Sequence, residues 1–285
     1  MKRMISLAHL SLIELSPEQL IEMAATAGFD AVGLRLTPEN ARNTALLSAL
    51  RKQATSTEVE VLDVEVMWLG GGVTTDGADS LLEAAALLGA RFVVVNGVEN
   101  ELGRIADRFA ELCRRAEPLG VRPVIEFAPT TGIRTLADAR RVAESTSGGV
   151  LVDVLHLHRS GGAGRDLIAL DSERLPYLEL CDGPLRPPVG GTGALAKEAR
   201  QARLPPGRGE FPLGQVLDGC PLESFPISVK APSASLRAQL GDVAFVCLLR
   251  DSAEEVVESY ATGAASVAID DGRETLWPRA PIVSG

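Results

Sequence analysis

Three carboxylates and one lysine stand at comparable places in this chain. Glu126 closes the run "PVIE", Asp153 follows "GVLV", Glu179 lies between two leucines in "YLELC", and Lys230 ends "PISVK". A charge inside an apolar run is costly unless it is paired, protonated or metal-bound. Three carboxylates drawn to one place repel each other and need a cation, a shared proton, or both. Carboxylate and imidazole ligands suit Mn, Mg, Co or Zn as a divalent ion, so Glu126, Asp153 and Glu179 form a candidate metal set. Lys230 argues against that metal, because a protonated amine cannot ligate one and itself supplies the missing cation. A carboxylate held in such a site can serve as a general base. A deprotonated Lys230 could instead form a Schiff base, but close carboxylates favour its charged form. If the strand register slips by one residue, Lys230 faces outward and the site is degenerate.

Other polar residues fall near the ends of apolar runs: His9, Arg35, Glu65 with Trp68, Asn96, His156, His158 and Asp182. His9, Arg35 and Trp68 are read as pocket walls, with the Trp68 ring as a flat apolar face. Arg208, in "PPGRGE", is placed by composition to meet an anionic or hydroxylated substrate or else is a plain surface arginine.

These residues need elements to hold them together. Apolar runs begin at Met4, Ala31, Val59, Arg91, Arg122, Gly149, Tyr177 and Ile227. The first seven are 27 to 32 residues apart and the last follows after 50. About 30 residues is one strand plus a returning helix. Helix signals fill the gaps: "SPEQLIEMAATAGF" offers Ser16 as N-cap, Pro17 at the first position, Gln19 for a capping box and Gly28 as a stop. "TPENARNTALLSALRKQ" reads as one further helix. Eight strands rich in Val, Ile and Leu, alternating with helices, predict an α/β fold, a closed (β/α)8 TIM barrel. A doubly wound sheet is the alternative, weakened because no G-x-G-x-x-G follows the first strand. In a barrel, residues at the carboxyl ends of strands form the site. Residues 1–263 are expected as the single barrel domain. The Gly/Pro-rich, basic stretch 183–212 reads as a lid-like loop, and 264–285 as a tail.

The 285 residues carry 28 Lys and Arg against 38 Asp and Glu, a formal net charge of −10. That excludes a general basic footprint for nucleic acid or an anionic membrane. No apolar run is long enough to span a bilayer, and "MKRMISLAHLSLIELS" reads as a first strand rather than a leader. Four widely spaced cysteines without a C-x-x-C read as reduced, mostly buried thiols, so a cytoplasmic location is expected.

The pieces "AATAGFDAVGLRL", "VIEFAP", "LVDVLHLHRSGG", "YLELCDGP", "LPPGRGEFPL" and "ISVKAP" resemble the sugar phosphate isomerase/epimerase families with the xylose isomerase-like barrel. The resemblance spans most of the domain. It implies a metal set of Glu after strand five, Asp after strand six, His or an amide after strand seven and Glu after strand eight. Carried over, these positions are Glu126, Asp153, Glu179 and Lys230. The last two depart from the pattern, and Lys230 removes the second carboxylate of the proton-moving pair. The resemblance also implies that His156, three residues after Asp153, contacts substrate, and that Gly207, Gly209 and Glu210 keep a lid motif. The expected function is a sugar or sugar-phosphate isomerase or epimerase acting by proton transfer beside a carbonyl, with Glu126 and Lys230 catalytic and His9, Arg35, Trp68, His156, Arg208 and Glu210 binding a small polar substrate, anionic or hydroxylated. A non-catalytic binding protein on a degenerate isomerase fold, a dehydratase and a Schiff-base lyase are the alternatives. Endonuclease-type relatives need more metal ligands and a basic groove, which three histidines and the acidic balance do not provide. A homo-oligomer is compatible with the sequence.

Overall fold

Each of the eight apolar runs becomes a strand. The computed structural model describes residues 3–70, 75–220 and 225–262. Its strands are β1 (Ile5–Ala8), β2 (Ala31–Arg35), β3 (Glu60–Leu69), β4 (Phe92–Gly97), β5 (Arg122–Glu126), β6 (Gly149–Asp153), β7 (Leu178–Leu180) and β8 (Ile227–Val229). Neighbours pair in parallel in chain order, and β8 returns to β1, closing the barrel. The returning helices are α1 (Pro17–Thr26), α2 (Pro38–Arg42), α3 (Thr44–Ser56), α4 (Thr75–Leu88), α5 (Leu102–Ala116), α6 (Leu136–Ala143), α7 (Val154–Arg159), α8 (Gly191–Gln201), α9 (Leu213–Asp218), α10 (Ala234–Leu240) and α11 (Asp242–Ala261). Parallel strands require such crossovers, which cover the outer face of the sheet. The architecture is therefore a (β/α)8 TIM barrel.

Local chemistry sets the helix ends. Ser16 and Gln19 form a reciprocal capping box at the start of α1, with Pro17 in its first turn. The stretch expected as a single helix after Thr37 is two, α2 and α3. Asn43 divides them: its Oδ1 accepts from the Leu46 N–H at 3.0 Å. A short amide side chain competes for the backbone and caps a new helix instead of continuing the old one. The stretch 183–212 is likewise more than a loop, because it contains α8. That helix starts with Gly191, Thr192 and Gly193, poor helix formers that mask it in the sequence.

Apolar packing divides into two regions. The larger lies between the barrel and its helices. There α11 seals the junction of β8 and β1 through Phe245, Val246, Leu249 and Ala253, all buried. A smaller cluster of Ala31, Leu62, Val94, Val124, Leu151 and Tyr177 fills the barrel interior. Across it Phe92 and Tyr177 stack with ring centroids 5.1 Å apart, a favourable offset aromatic contact. This apolar plug supports the polar residues at the strand C-termini. The four cysteines are free thiols, and Cys113, Cys181 and Cys220 are buried. Among the described residues no helix is long and apolar enough to cross a membrane. The tail expected at 264–285 lies outside the described residues.

Candidate active site

Register decides which strand residues meet. Asp153 pairs with Glu179, and Glu179 pairs with Ser228. Lys230 is two residues beyond Ser228, so it shares that inward face one layer higher. Glu126 ends β5 opposite Leu151, which places it one step from Asp153 on the same inward row. The four side chains converge. Lys230 Nζ donates to Glu126 Oε1 at 2.8 Å and to Glu179 Oε2 at 2.6 Å, and lies 3.7 Å from Asp153 Oδ2. All four are buried.

A second cation completes the group. Arg203 Nη1 donates to Asp153 Oδ2 at 2.7 Å and to the Lys230 carbonyl at 3.2 Å. Two short bridges explain why: Ala202 pairs with Ser233 and Leu204 with Asp182. Arg203, between them, is turned the other way, into the barrel. By sequence Arg203 is one more basic residue of the stretch 183–212. Its composition gives no sign that it differs from Arg200 or Arg208; only the long-range bridges single it out.

Charge balance follows. Burial alone would raise the Asp153 pKa, but Arg203, His156 and Lys230 hold it well below the usual carboxylate range. Burial likewise opposes ionisation of Glu126, yet Lys230 and His156 carry it below its ordinary value. Its other oxygen accepts from Asn96 Nδ2 at 2.7 Å. Glu179 is different: burial pushes it well above the carboxylate range despite Lys230. Burial would depress the Lys230 ammonium, but Glu126, Glu179 and Asp153 together raise it well above the ordinary lysine value. The amine is therefore charged and not nucleophilic. Glu126 and Asp153, both held below their ordinary range, face two cations, Lys230 and Arg203, while Glu179 is the carboxyl that burial pushes up.

Asp63 was not singled out from sequence. A register shift between Val32 and Gly33 turns it into the barrel beside β2. Burial, reinforced by Glu65, raises it to about 8. Gly33 leaves room for it, since a Cβ there would come within 2.6 Å of Asp63 Oδ1.

The remaining expected residues divide. His156 starts above Asp153, whose Oδ1 caps α7 by accepting from the Leu155 and His156 N–H groups. Its Nε2 lies 3.7 Å from Asp153 Oδ2 and 4.0 Å from Glu126 Oε1. Burial lowers its pKa, leaving a neutral imidazole. His9 is a brace: Nδ1 accepts from the Arg35 N–H at 2.9 Å, so Nε2 carries the proton given to the Leu15 carbonyl at 2.9 Å. A cavity of about 500 Å³ above the ring is lined by Glu126, His156, Arg203 and Lys230, with Arg35 and Trp68 on its wall. Arg208 and Glu210 do not line it. Arg208 pairs with Glu255 on α11 at 3.2 Å, and Glu210 accepts from the Leu185 N–H at 2.8 Å. The substrate role expected for these two finds no support in their placement. His158 stacks on Phe211 at 4.4 Å.

The lid is held by other contacts. Arg159 makes two hydrogen bonds to Glu198 of α8, at 2.6 and 2.8 Å. Asp182 accepts from the Gly183 and Phe211 N–H groups. The glycine of "GRGE" has a packing reason, because a Cβ on Gly209 would stand 2.4 Å from Asp182 Oδ1 and 2.6 Å from the Gly183 nitrogen.

Among the described residues Glu126, Asp153 and His156 present donor atoms within 4.8 Å of one another, close enough to share a metal ion. His156 takes the place in that triad that the sequence assigned to Glu179. Two of the donors, however, are the oxygens bound by Lys230 and Arg203. An ion there would lie against a charged ammonium in a low-dielectric site, where like charges repel strongly. A resident divalent ion does not fit beside protonated Lys230.

The model of the xylose isomerase-like TIM barrel family matches residues 21–219. No curated protein matches the chain. Among solved structures, the IolI protein with a bound zinc atom superposes with a TM-score of 0.77 at 19% identity, over 90% of this chain and 99% of that one. A xylose isomerase domain protein from Alicyclobacillus acidocaldarius gives 0.71 at 20% identity, over 91% and 100%. D-psicose 3-epimerase in the presence of D-fructose gives 0.64 at 14% identity, over 90% and 98%. These likenesses establish a shared fold.

Proposed function

The chain belongs to the xylose isomerase-like TIM barrel family, and from that premise we propose an isomerase or epimerase that moves a proton beside a carbonyl without a resident divalent ion. The observation that carries this reading is the seat of Lys230, hydrogen-bonded to Glu126 and Glu179 and 3.7 Å from Asp153. An ammonium has three donors. Two are used here, leaving one for a substrate oxygen in the cavity that Lys230 lines.

In this account Glu126 takes the proton from the carbon beside the carbonyl. The electron pair of the broken C–H bond forms the carbon–carbon double bond of an enediolate, and the charge moves to the former carbonyl oxygen. Lys230 stabilises that oxyanion, with Arg203 adding fixed positive charge nearby; preorganised charge of this kind is a large contributor to catalysis. Glu179 in its protonated form gives its proton to that oxygen; the neighbouring hydroxyl then returns a proton to Glu179 as its oxygen becomes the new carbonyl, and Glu126 delivers its proton to the former carbonyl carbon. As Lys230 turns its hydrogen bonding to the substrate, its hold on Glu126 weakens and the base strengthens. Neutral His156 hydrogen-bonds a substrate hydroxyl. The shared fold with D-psicose 3-epimerase supports the class of reaction.

The test is proton exchange. Incubating the enzyme in D2O with a panel of ketoses, aldoses and hydroxyketones should place deuterium on the carbon beside the carbonyl, read by NMR. Glu126→Gln should reduce the exchange by at least about a hundredfold, the usual contribution of a positioned general base. Exchange that persists unchanged in that variant contradicts the proposed base.

A further inference from the structure

Arg35 stands where two cavities meet. It lines the reaction chamber with Lys230 and Glu126, and also a second cavity of about 770 Å³ outside it. Trp68 is shared in the same way. The second cavity is walled largely by apolar side chains, among them Ile13, Leu15, Leu36, Ala41 and Met67. Its polar lining includes Arg35 and Glu14, with His9, Gln19, Thr37 and Asn40.

The guanidinium of Arg35 donates to no protein group among the described residues, although its backbone N–H is held by His9. The neighbouring carboxylates do not serve it. Glu65 pairs with Arg35 in the β2–β3 register but makes no ion pair with it. Glu14, which lines both cavities, is taken by Arg237. Deeper in the chamber, Lys230 and Arg203 already match Glu126 and Asp153. Arg200 of α8 adds another guanidinium to the chamber wall, also without a protein partner among the described residues. Arg35 and Arg200 outnumber Glu65, the one carboxylate of this wall without a cation partner among the described residues, so in a chain of net charge −10 the cavity keeps local positive charge. Clefts with one sign of charge concentrate ligands of the other. A half-buried guanidinium with its planar donors unused matches the two oxygens of a carboxylate or phosphate.

We infer that Arg35 is an anion anchor: the substrate bears a carboxylate or phosphate seated on its guanidinium, a carbonyl that reaches Lys230, and an apolar arm that lies against Trp68 in the second cavity. The inference rests on reading the chamber as the reaction site. It replaces a free sugar with an amphipathic oxyanion as the preferred ligand class.

Titration calorimetry of the full chain tests it without turnover. The probes are benzoate, phenyl phosphate, acetate and benzyl alcohol. Benzoate or phenyl phosphate should bind at least about tenfold more tightly than acetate, which lacks the arm, and than benzyl alcohol, which lacks the charge. Which of the two binds better distinguishes a carboxylate from a phosphate. Arg35→Gln should remove that advantage, and the exposed Arg186→Gln should not. Among the described residues the Arg35 side chain has no protein partner to lose, so the variant should fold; its unfolding midpoint checks this. Equal binding of benzyl alcohol and benzoate, or unchanged benzoate binding in Arg35→Gln, overturns the anchor. Acetate binding as well as benzoate overturns the apolar arm. Isomerisation of a neutral sugar without anion binding defeats the anchor alone. Anion binding lost in Arg35→Gln, with no proton exchange on any carbonyl compound, supports the anchor and defeats the proposed reaction alone.

Discussion

Arg203 and Asp153 form an ion pair, 2.7 Å between Nη1 and Oδ2, with both side chains fully removed from solvent. The pair joins the lid segment to the end of β6 and leaves Lys230 to face Glu126 and Glu179. Asp153 does three tasks at once: it caps α7, holds Arg203 and completes the carboxylate ring.

Removing one member of a buried pair leaves the other charge uncompensated. Arg203→Met should therefore cost about 3–5 kcal/mol of stability. The double variant Arg203→Met with Asp153→Asn should recover part of that loss. Urea unfolding of the wild type, both single variants and the double variant measures the coupling. Additive losses would show that the two side chains do not depend on each other.

Asp63 ties stability to pH. Its folded pKa of about 8 lies above the unfolded value near 3.8, so the folded state holds the proton more tightly. The contribution is fully present below the unfolded pKa and is lost as pH rises through the folded pKa. Between pH 5.5 and 8.5 the wild type should lose about 3 kcal/mol relative to Asp63→Asn from this group. Parallel pH profiles for the two proteins would place Asp63 in a more hydrated setting than the barrel interior provides.

Gly209→Ala tests the seating of the lid. The added Cβ would meet Asp182 and the Gly183 backbone, and forcing such an overlap costs about 1–3 kcal/mol. Because the clash is at the lid's base, limited proteolysis should cut within 183–212 faster than in the wild type. Equal cutting rates in the two proteins would mean that the loop absorbs the methyl group.

Why some of this was readable in the sequence follows from where each residue lies. Glu126, Asp153 and Lys230 end short apolar runs, and a charge in that position has few places to go except a barrel mouth. Glu179 was equally visible between its leucines. The barrel itself followed from strand-to-strand spacing, which is a local property. Asp63 sits in "VEVLDVEV", where acidic residues at 60, 63 and 65 fall on both faces of a strict two-residue alternation, so the face it takes depends on the register shift beside Gly33. Arg203 depends on bridges to Asp182 and Ser233, contacts that no local pattern encodes. Arg208 had the composition of a site residue but is drawn outward by Glu255. Asn43 could have been read as a helix start, yet the continuous helical pattern around it hid the break.

If Lys230 takes the place of a divalent cation among Glu126, Asp153 and His156, metal content must reflect it. Wild-type protein purified without chelator, then exposed to Mn²⁺ or Zn²⁺ and desalted, should retain far less than one ion per chain by elemental analysis. Lys230→Glu, which restores a carboxylate beside Glu126, Asp153 and His156, should retain one. A wild-type protein that holds one tightly bound divalent ion on Glu126 and Asp153 contradicts the central claim.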